Sequence, residues 1–378
     1  MHKDSSVIIV ITVILAILGI LVGYSVEGLR TNLQSFLIKQ FILMFIGGGC
    51  FIALLFYDYH KLFKPVNLWL LTIICFLGLI AVLFFGELRN GARRWLNIFG
   101  VFSLQPSEFA KIAVLVTIAW YLSRFYNMLK GFYFGILFPI LLALVYCMFI
   151  VLENDQGTPT VIMTTVLCMM FVAGIHRKYL LIGAGIFGGI FAFFVISKPH
   201  RIDRIIYTWF PEWDPSGKGW HIIQSLVSFY RGNLLGVGIG AGEQKLDYLP
   251  EAHRDFPFSI IGEEMGMLGA ILVVILFLLL IYYGFEIARK SPDLQGSLLA
   301  MGITCMIGIQ AIIMMMVNIG ILPVKGMCLP LISSGGSSFI ANMFMLGCLV
   351  NIGFQEVRTE SPSYWKAFIF LNLSNPIK

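Results

Sequence analysis

Charged residues are scarce in this chain. Only 12% of its 378 residues are Asp, Glu, Lys or Arg, whereas 58% are hydrophobic and the mean hydropathy is +0.88. These values exclude an ordinary soluble domain. The seven cysteines lie mostly inside apolar runs and include no CxxC pair, so neither a disulfide framework nor a zinc site is expected. A nucleic-acid partner is not expected either.

Long apolar runs are what the chain has in abundance. A helix needs about 17 to 25 apolar residues to cross a membrane. Runs of this kind predict an all-α, polytopic membrane protein with ten transmembrane helices in a single integral membrane domain, 1–378. The first run has no small-residue cleavage site after it and predicts a retained span. The ten predicted spans are 7–27, 37–57, 66–85, 107–122, 132–151, 158–174, 179–197, 258–284, 297–320 and 335–354.

Basic residues set the predicted orientation. Each predicted inner loop carries a pair, such as Lys61 with Lys64 or Arg289 with Lys290. By the positive-inside tendency, both termini are cytoplasmic and 198–257 is a large extracytoplasmic loop. Its aromatic residues disfavour disorder. Within the loop, 219–231 predicts an amphipathic surface helix, and the glycines of 232–242 indicate a flexible or closely approached backbone.

Ionisable residues gather at 245–264, where the loop meets the eighth span. Asp255 stands beside Glu251, His253 and Arg254, and Glu263 with Glu264 follows within the span. Ionisable groups at membrane depth are costly and mark function by default. The alternative is a cluster that caps and anchors one helix, but the number of charges exceeds that need. A partly desolvated Asp255 is a candidate general base.

A second polar stretch is 89–111. Arg93 and Arg94 lie on a predicted outer loop, against the positive-inside tendency, and guanidinium groups suit phosphate oxygens. Glu108 and Lys111, at i,i+3, share one face of the fourth span. The alternative is an interfacial anchor, with Trp95 among lipid headgroups and Glu108 paired with Lys111.

A third stretch, 318–342, breaks the helical pattern with two prolines and four glycines. Irregular backbone at membrane depth is tolerated where it is buried or lines a cavity. Lys325 is a candidate anion ligand, whereas the serines around Gly335 fit either a site or small-residue helix packing. A weaker fourth stretch, 153–158 (ENDQGT), needs no function beyond a turn.

Five segments together resemble the SEDS family of membrane glycosyltransferases, which includes FtsW, RodA and SpoVE. The resemblance implies polymerisation of lipid II, an undecaprenyl-linked disaccharide peptide, in the bacterial cytoplasmic (inner) membrane. It also implies a class B penicillin-binding protein and other divisome membrane proteins as partners. The segments are GARRWLNIFGVFSLQPSEFAK, ENDQGT, DPSGKGWHIIQS, GVGIGAGEQKLDYLPEAHRDFPFSIIGEEMG and NIGILPVKGMCLPLISSGGSS.

The resemblance also implies roles for individual residues. Asp255 matches the family's essential Asp and Trp95 a motif Trp, while Glu108, Lys111, Lys325 and the SGGSS segment match other polar motifs. This chain departs from the family at Ser334 (usually Tyr), Arg254 (commonly Thr), Pro257 (usually Ile) and the ENDQGTP segment. PVKG at 323–326 is typical of the division branch, with the elongation branch as the alternative.

An α-linked donor and a β-1,4 product call for one inverting displacement. Asp255 is the predicted base, and Arg93, Arg94, Lys111 and Lys325 are candidates for the departing pyrophosphate. No cofactor is specified; a divalent cation such as Mg²⁺ is an open alternative without a visible ligand set. The rivals are a lipid-linked precursor flippase, disfavoured because the chain has no internal repeat, and a noncatalytic scaffold. The predicted substrate-binding residues are Arg93, Arg94, Trp95, Glu108, Lys111, Glu251, His253, Glu264, Lys325 and Ser337.

Overall fold

The computed structural model describes residues 3–28, 33–89, 92–98, 102–197, 199–246, 248–249 and 252–355. Helices dominate this part of the chain, and three short strands follow the third helix. The helices are α1 (Lys3–Gly23), α2 (Leu33–Phe56), α3 (Pro65–Phe85), α4 (Pro106–Arg124), α5 (Phe138–Leu152), α6 (Gly157–Val172), α7 (Arg177–Ile196), α8 (Pro199–Trp209), α9 (Trp220–Gly232), α10 (Ala252–Asp255), α11 (Pro257–Glu264), α12 (Gly266–Lys290), α13 (Leu294–Asn318) and α14 (Gly336–Phe354). The strands are β1 (Glu87–Arg89), β2 (Ala92–Ile98) and β3 (Phe102–Leu104).

Every predicted span overlaps helical structure, and the chain is a polytopic, predominantly α-helical membrane protein. Among the described residues, seven helices are long and apolar enough to cross a membrane: α1, α2, α3, α5 with its preceding turn, α12, α13 and α14. The predicted number of ten spans, and the single domain 1–378 with its outer loop, stay predictions. The eighth predicted span is divided between α11 and α12. At the division, Gly266 has φ +66°, and a Cβ there would lie 2.4 Å from Gly236 N. Only glycine fits such a left-handed, closely approached position.

The interior of the bundle is built from α4, α6, α13 and α14. In α13 and α14, 83% of the most apolar window is buried, compared with 22% in α2 and α3. Helix α4 packs against α3, α5, α6, α13 and α14. Because α4 is surrounded by protein, it tolerates Glu108 and Lys111, which a lipid-facing helix would not. Small residues allow the close packing, since a Cβ at Gly302 would lie 2.8 Å from Leu115 and Met169.

A small antiparallel sheet lies where the sequence predicted only an outer loop. Its order is β1-β2-β3, with Arg89 opposite Ala92 and Asn97 opposite Ser103. Leu88 pairs with Arg93 but Glu87 pairs with Trp95, so Arg94 is an extra residue on β2. A bulge of this kind re-aims the side chain it carries. The sheet contacts α3, α4 and α14 and lies at one end of the bundle.

The segment between α7 and α11 is largely ordered into α8, α9 and α10. The predicted amphipathic helix at 219–231 is confirmed as α9, which packs against α11. A Cβ at Gly232 would lie 1.8 Å from Gly262 O, so the two helices touch backbone to backbone. The glycine segment that follows also runs close to the backbone of α11. The N–H groups of Val237 and Gly238 donate to Glu263 O and Glu264 O at 3.0 Å each.

Candidate functional site

The sheet brings the predicted guanidinium groups to one end of the bundle. Arg93 is exposed, whereas Arg94 and Trp95 are half-buried. The Arg94 Nη2 atom donates to the Asn154 carbonyl, and its Nη1 atom lies against Gly326. Arg94 therefore joins β2 to the turn before α6 and to the broken segment before α14.

Asp255 is the last residue of α10 and is half-buried. The neighbouring Arg254 guanidinium lies 5.8 Å from the centroid of the Trp95 ring, within the range of a cation–π contact. Ser333 Oγ donates to Arg254 O at 2.9 Å and accepts from Leu329 N at 2.7 Å. Through its neighbour Arg254, the structure thus places Asp255 close to the sheet and to Ser333 of the broken segment, although these positions are far apart in sequence.

Asn318 fixes the backbone of Asp255. Its Nδ2 atom donates to Asp255 O and to Met314 O, at 2.9 Å each. Its Oδ1 atom accepts from Ser259 N at 3.1 Å and Ser259 Oγ at 3.2 Å. A side-chain amide has two donor hydrogens and two acceptor lone pairs, so these four bonds satisfy it. Asn318 is fully buried, and sequence reasoning did not identify it because its partners are distant in the chain.

Glu108 and Lys111 form the predicted i,i+3 pair inside the bundle. Lys111 Nζ lies 2.7 Å from Glu108 Oε2 and donates to Gln310 Oε1 at 2.8 Å. The two residues are 4% and 1% exposed. Gln310 Nε2 in turn donates to Cys328 O at 2.7 Å. The charge of Lys111 is therefore already balanced, and the pair ties α4 and α13 to the broken segment.

Cys328 shows how close the two polar stretches lie. Its thiol is within electrostatic reach of the Glu108 and Asp255 carboxylates and of the Arg254 and Lys111 cations. The second and third stretches therefore meet the Asp255 cluster around a single residue of the segment between α13 and α14.

The ENDQGT turn, predicted to need no function, lies beside Arg94. Asp155 Oδ1 accepts from Gly157 N at 3.0 Å and Thr158 N at 3.3 Å, and Oδ2 accepts from Thr158 Oγ1 at 2.7 Å. Asp155 thus caps the start of α6. Glu153 is 1% exposed, and neither of its carboxyl oxygens has a hydrogen-bond partner among the described residues.

Lys325 lies in the broken segment and is half-buried. Burial lowers its pKa, while the Asp155 carboxylate partly opposes this effect. Arg94, Lys325, Glu153 and Asp155 thus form a second cluster of ionisable residues next to the Arg254–Trp95 contact.

Of the remaining predicted site residues, Glu264 belongs to a separate buried ion pair and Ser337 contacts the sheet, while the other two lie wholly or partly outside the described residues. Glu264 is 5% exposed and pairs with buried Lys245 at 2.7 Å, and Ser25 hydrogen-bonds both. Ser337 Oγ accepts from Gln105 N at 3.0 Å and donates to Ser103 O at 3.1 Å, which ties α14 to the start of α4. Glu251 lies outside the described residues, and only the backbone of His253, within α10, is described.

The arrangement places half-buried Asp255 next to Arg254, at the end of the bundle that also carries Arg93, Arg94 and Lys325. Asp255 is of a residue type that accepts protons, and Arg93, Arg94, Arg254 and Lys325 are suited to an anion with several oxygens. Across the part of the chain that the structure describes, no three His, Cys, Asp or Glu side chains are grouped to hold a metal ion.

Comparisons with known proteins place this arrangement in a family. The FtsW/RodA/SpoVE family of cell cycle proteins matches residues 5–357. Stage V sporulation protein E of Bacillus subtilis is 38% identical over 358 residues, covering 91% of this chain and 95% of its own. A probable peptidoglycan glycosyltransferase FtsW of Geobacter metallireducens is 34% identical over 351 residues, covering 92% and 93%.

Solved structures agree with these relatives. A chain from a peptidoglycan synthase complex that coordinates polymerization and crosslinking superposes with a TM-score of 0.75 at 26% identity, over 93% of this chain and 98% of its own. The rod shape determining protein RodA of Thermus thermophilus superposes with a TM-score of 0.67 at 25% identity, over 93% and 97%. The chain belongs to the FtsW/RodA/SpoVE family of cell cycle proteins.

Proposed function

We propose that this chain is a peptidoglycan glycosyltransferase that polymerises lipid II into β-1,4 glycan strands and releases undecaprenyl pyrophosphate. Relatives named as probable peptidoglycan glycosyltransferases match it over nearly their whole length. The observation that carries the proposal is the position of Asp255, half-buried at the end of α10 and next to the Arg254–Trp95 contact.

In the proposed reaction, the acceptor 4-hydroxyl attacks C1 of the donor sugar from the face opposite the pyrophosphate. The Asp255 carboxylate takes the hydroxyl proton as the new C–O bond forms. The C1–O bond to phosphate breaks, and its electron pair stays on the pyrophosphate. Arg94, Arg93 and Lys325 stabilise this charge, and Lys111, whose charge is balanced by Glu108, positions the surrounding segments.

The experiment is polymerisation of lipid II by the purified protein with no other polymerase present. Asp255→Asn keeps the size of the side chain but removes the base, so we expect turnover to fall by roughly 100- to 10,000-fold while lipid II binding largely survives. Glu251→Gln and Glu264→Gln are the controls. Polymerisation near the wild-type rate by Asp255→Asn, with either control inactive, would assign the base to the wrong carboxylate. Absence of polymer with the wild-type protein would favour a flippase or a scaffold.

We further propose that the chain acts in the division branch, in the bacterial inner membrane, with a class B penicillin-binding protein and other divisome membrane proteins. The FtsW names of its relatives support division, and the superposition on a chain of a polymerization and crosslinking complex supports a transpeptidase partner. Depletion of the protein should give filaments that fail to divide. Round cells with normal septa would instead support the elongation branch.

A further inference from the structure

Glu153 is a buried acid that the proposed mechanism does not use. It follows the last residue of α5, is 1% exposed, and has no hydrogen-bond partner for either carboxyl oxygen among the described residues. A buried, ionised carboxylate without partners is very costly, so such a group takes up a proton instead. Burial, with a smaller contribution from Asp155, raises the pKa of Glu153 to about 9 against the opposing effect of Arg94.

Arg94 has a hydrogen-bond donor that is not used. Its Nη2 atom donates to Asn154 O, the residue next to Glu153, but its Nε atom is buried without a hydrogen-bond partner. The Arg94 charge acts on Glu153, so a side-chain rearrangement that brought Nε to the ionised carboxylate would form a charge-assisted hydrogen bond. That ion pair would balance the charge of Arg94.

The other groups around Glu153 do not replace Arg94 as its counter-ion. Asp155 has the same sign of charge and is committed to capping α6. Cys75, on α3, is within electrostatic reach of Glu153 but carries no positive charge. Lys325 interacts with Asp155. Among the described residues, the cation whose charge acts on Glu153 is Arg94.

We propose that Glu153 is kept as a neutral carboxylic acid and acts as a positioning residue for Arg94, leaving the guanidinium charge available to the pyrophosphate group. The inference rests on the proposed function, because pyrophosphate is the ligand of that reaction. When Glu153 loses its proton, it pairs with Arg94 and anion binding weakens. A Gln at this position reproduces the neutral state and cannot form the ion pair.

The first measurement is the melting temperature as a function of pH, with Glu286→Gln, near the C-terminal end of α12, as a control at a carboxylate that is paired with Arg289 and Lys290. An acid whose pKa is higher in the folded state than in the unfolded state, where it is about 4.3, destabilises the folded protein as the pH rises between these two pKa values. The melting temperature of the wild type should therefore fall between about pH 5 and 9. Glu153→Gln should not show this fall, whereas Glu286→Gln should show it. The same pH dependence in wild type and Glu153→Gln would overturn the neutral-acid assignment.

The second measurement is the dissociation constant for inorganic pyrophosphate and the KM for lipid II, from pH 7 to 10. Two proteins are compared, Lys325→Arg alone and Lys325→Arg with Glu153→Gln. The arginine at position 325 keeps its charge over this pH range, whereas the lysine does not. Both constants should rise about tenfold per pH unit above pH 9 with Glu153 present and stay nearly flat with Gln. A rise shared by both proteins would refute the role of Glu153. Absence of polymer, together with pyrophosphate binding that depends on Arg94 and on pH, would refute the proposed function and leave the inference intact.

Discussion

Asn318 is expected to hold the proposed base in place. Asn318→Ala removes the hydrogen bonds to Asp255 O, Ser259 N and Ser259 Oγ. At about 0.5 to 1.5 kcal/mol each, the loss of these three bonds should cost roughly 1.5 to 4.5 kcal/mol of folding free energy. Release of the α10 backbone should also displace Asp255, and a misplacement of about 1 Å can lower turnover about 100-fold. The assay is kcat for lipid II polymerisation, at a temperature where the variant is folded.

Asn351→Ala is the matched control. Asn351 is also buried, donates to Leu55 O at 2.8 Å and accepts from Tyr59 N at 3.2 Å, but it lies at the end of α14 remote from the sheet. It should lose a similar amount of stability and keep its kcat. Wild-type kcat in folded Asn318→Ala, or an equal loss of kcat in Asn351→Ala, would refute the positioning argument.

Three further outcomes are expected. Arg94→Ala should raise the KM for lipid II more than it lowers the melting temperature, and unchanged kinetics in a folded protein would remove Arg94 from the anion site. Lys245→Met leaves Glu264 buried without its cation and should cost about 3 to 5 kcal/mol, measured by denaturation, and Glu264→Gln should cost a similar amount because it leaves the Lys245 ammonium buried without its anion. Lys218→Cys, in a variant cleared of native cysteines, should react with an impermeant thiol reagent from the outer side; reaction only from the cytoplasmic side contradicts the predicted topology.

The sequence correctly predicted those features of the fold that depend on residues close together in the chain. The helical spacing of 219–231 predicted α9, and the i,i+3 spacing of Glu108 and Lys111 predicted their ion pair. The sheet was missed because its strands are short and interrupted by charge, so alternation is weak. The division at Gly266 was missed because it depends on the approach of Gly236, thirty positions earlier in the chain. The bulge at Arg94 likewise depends on strand register, which the sequence does not specify.

For the site residues, too, the sequence predicted their spacing along the chain but not their surroundings in the fold. Sequence spacing gathered Asp255, Glu263 and Glu264 into one cluster, but their surroundings separate them. Glu264 is bound to Lys245, and Glu263 accepts from the backbone N–H groups of Glu243 at 2.9 Å and Gln244 at 3.3 Å.

Exposure decides which carboxylate can meet a substrate. Glu263 and Glu264 are buried, as are Glu108 and Asp155, whereas Asp255 is only half-buried. A general base has to reach the hydroxyl it deprotonates, directly or through one water molecule. Buried carboxylates with fixed partners stabilise the framework but cannot approach a sugar without breaking those contacts. The same criterion separates the cations: Lys111 and Lys245 are enclosed with their acids, while Arg93 is exposed and Arg94, Arg254 and Lys325 are half-buried. Proton transfer and anion binding are therefore best assigned to the residues that combine charge with access, which makes Asp255 and Arg94 the first two positions to substitute.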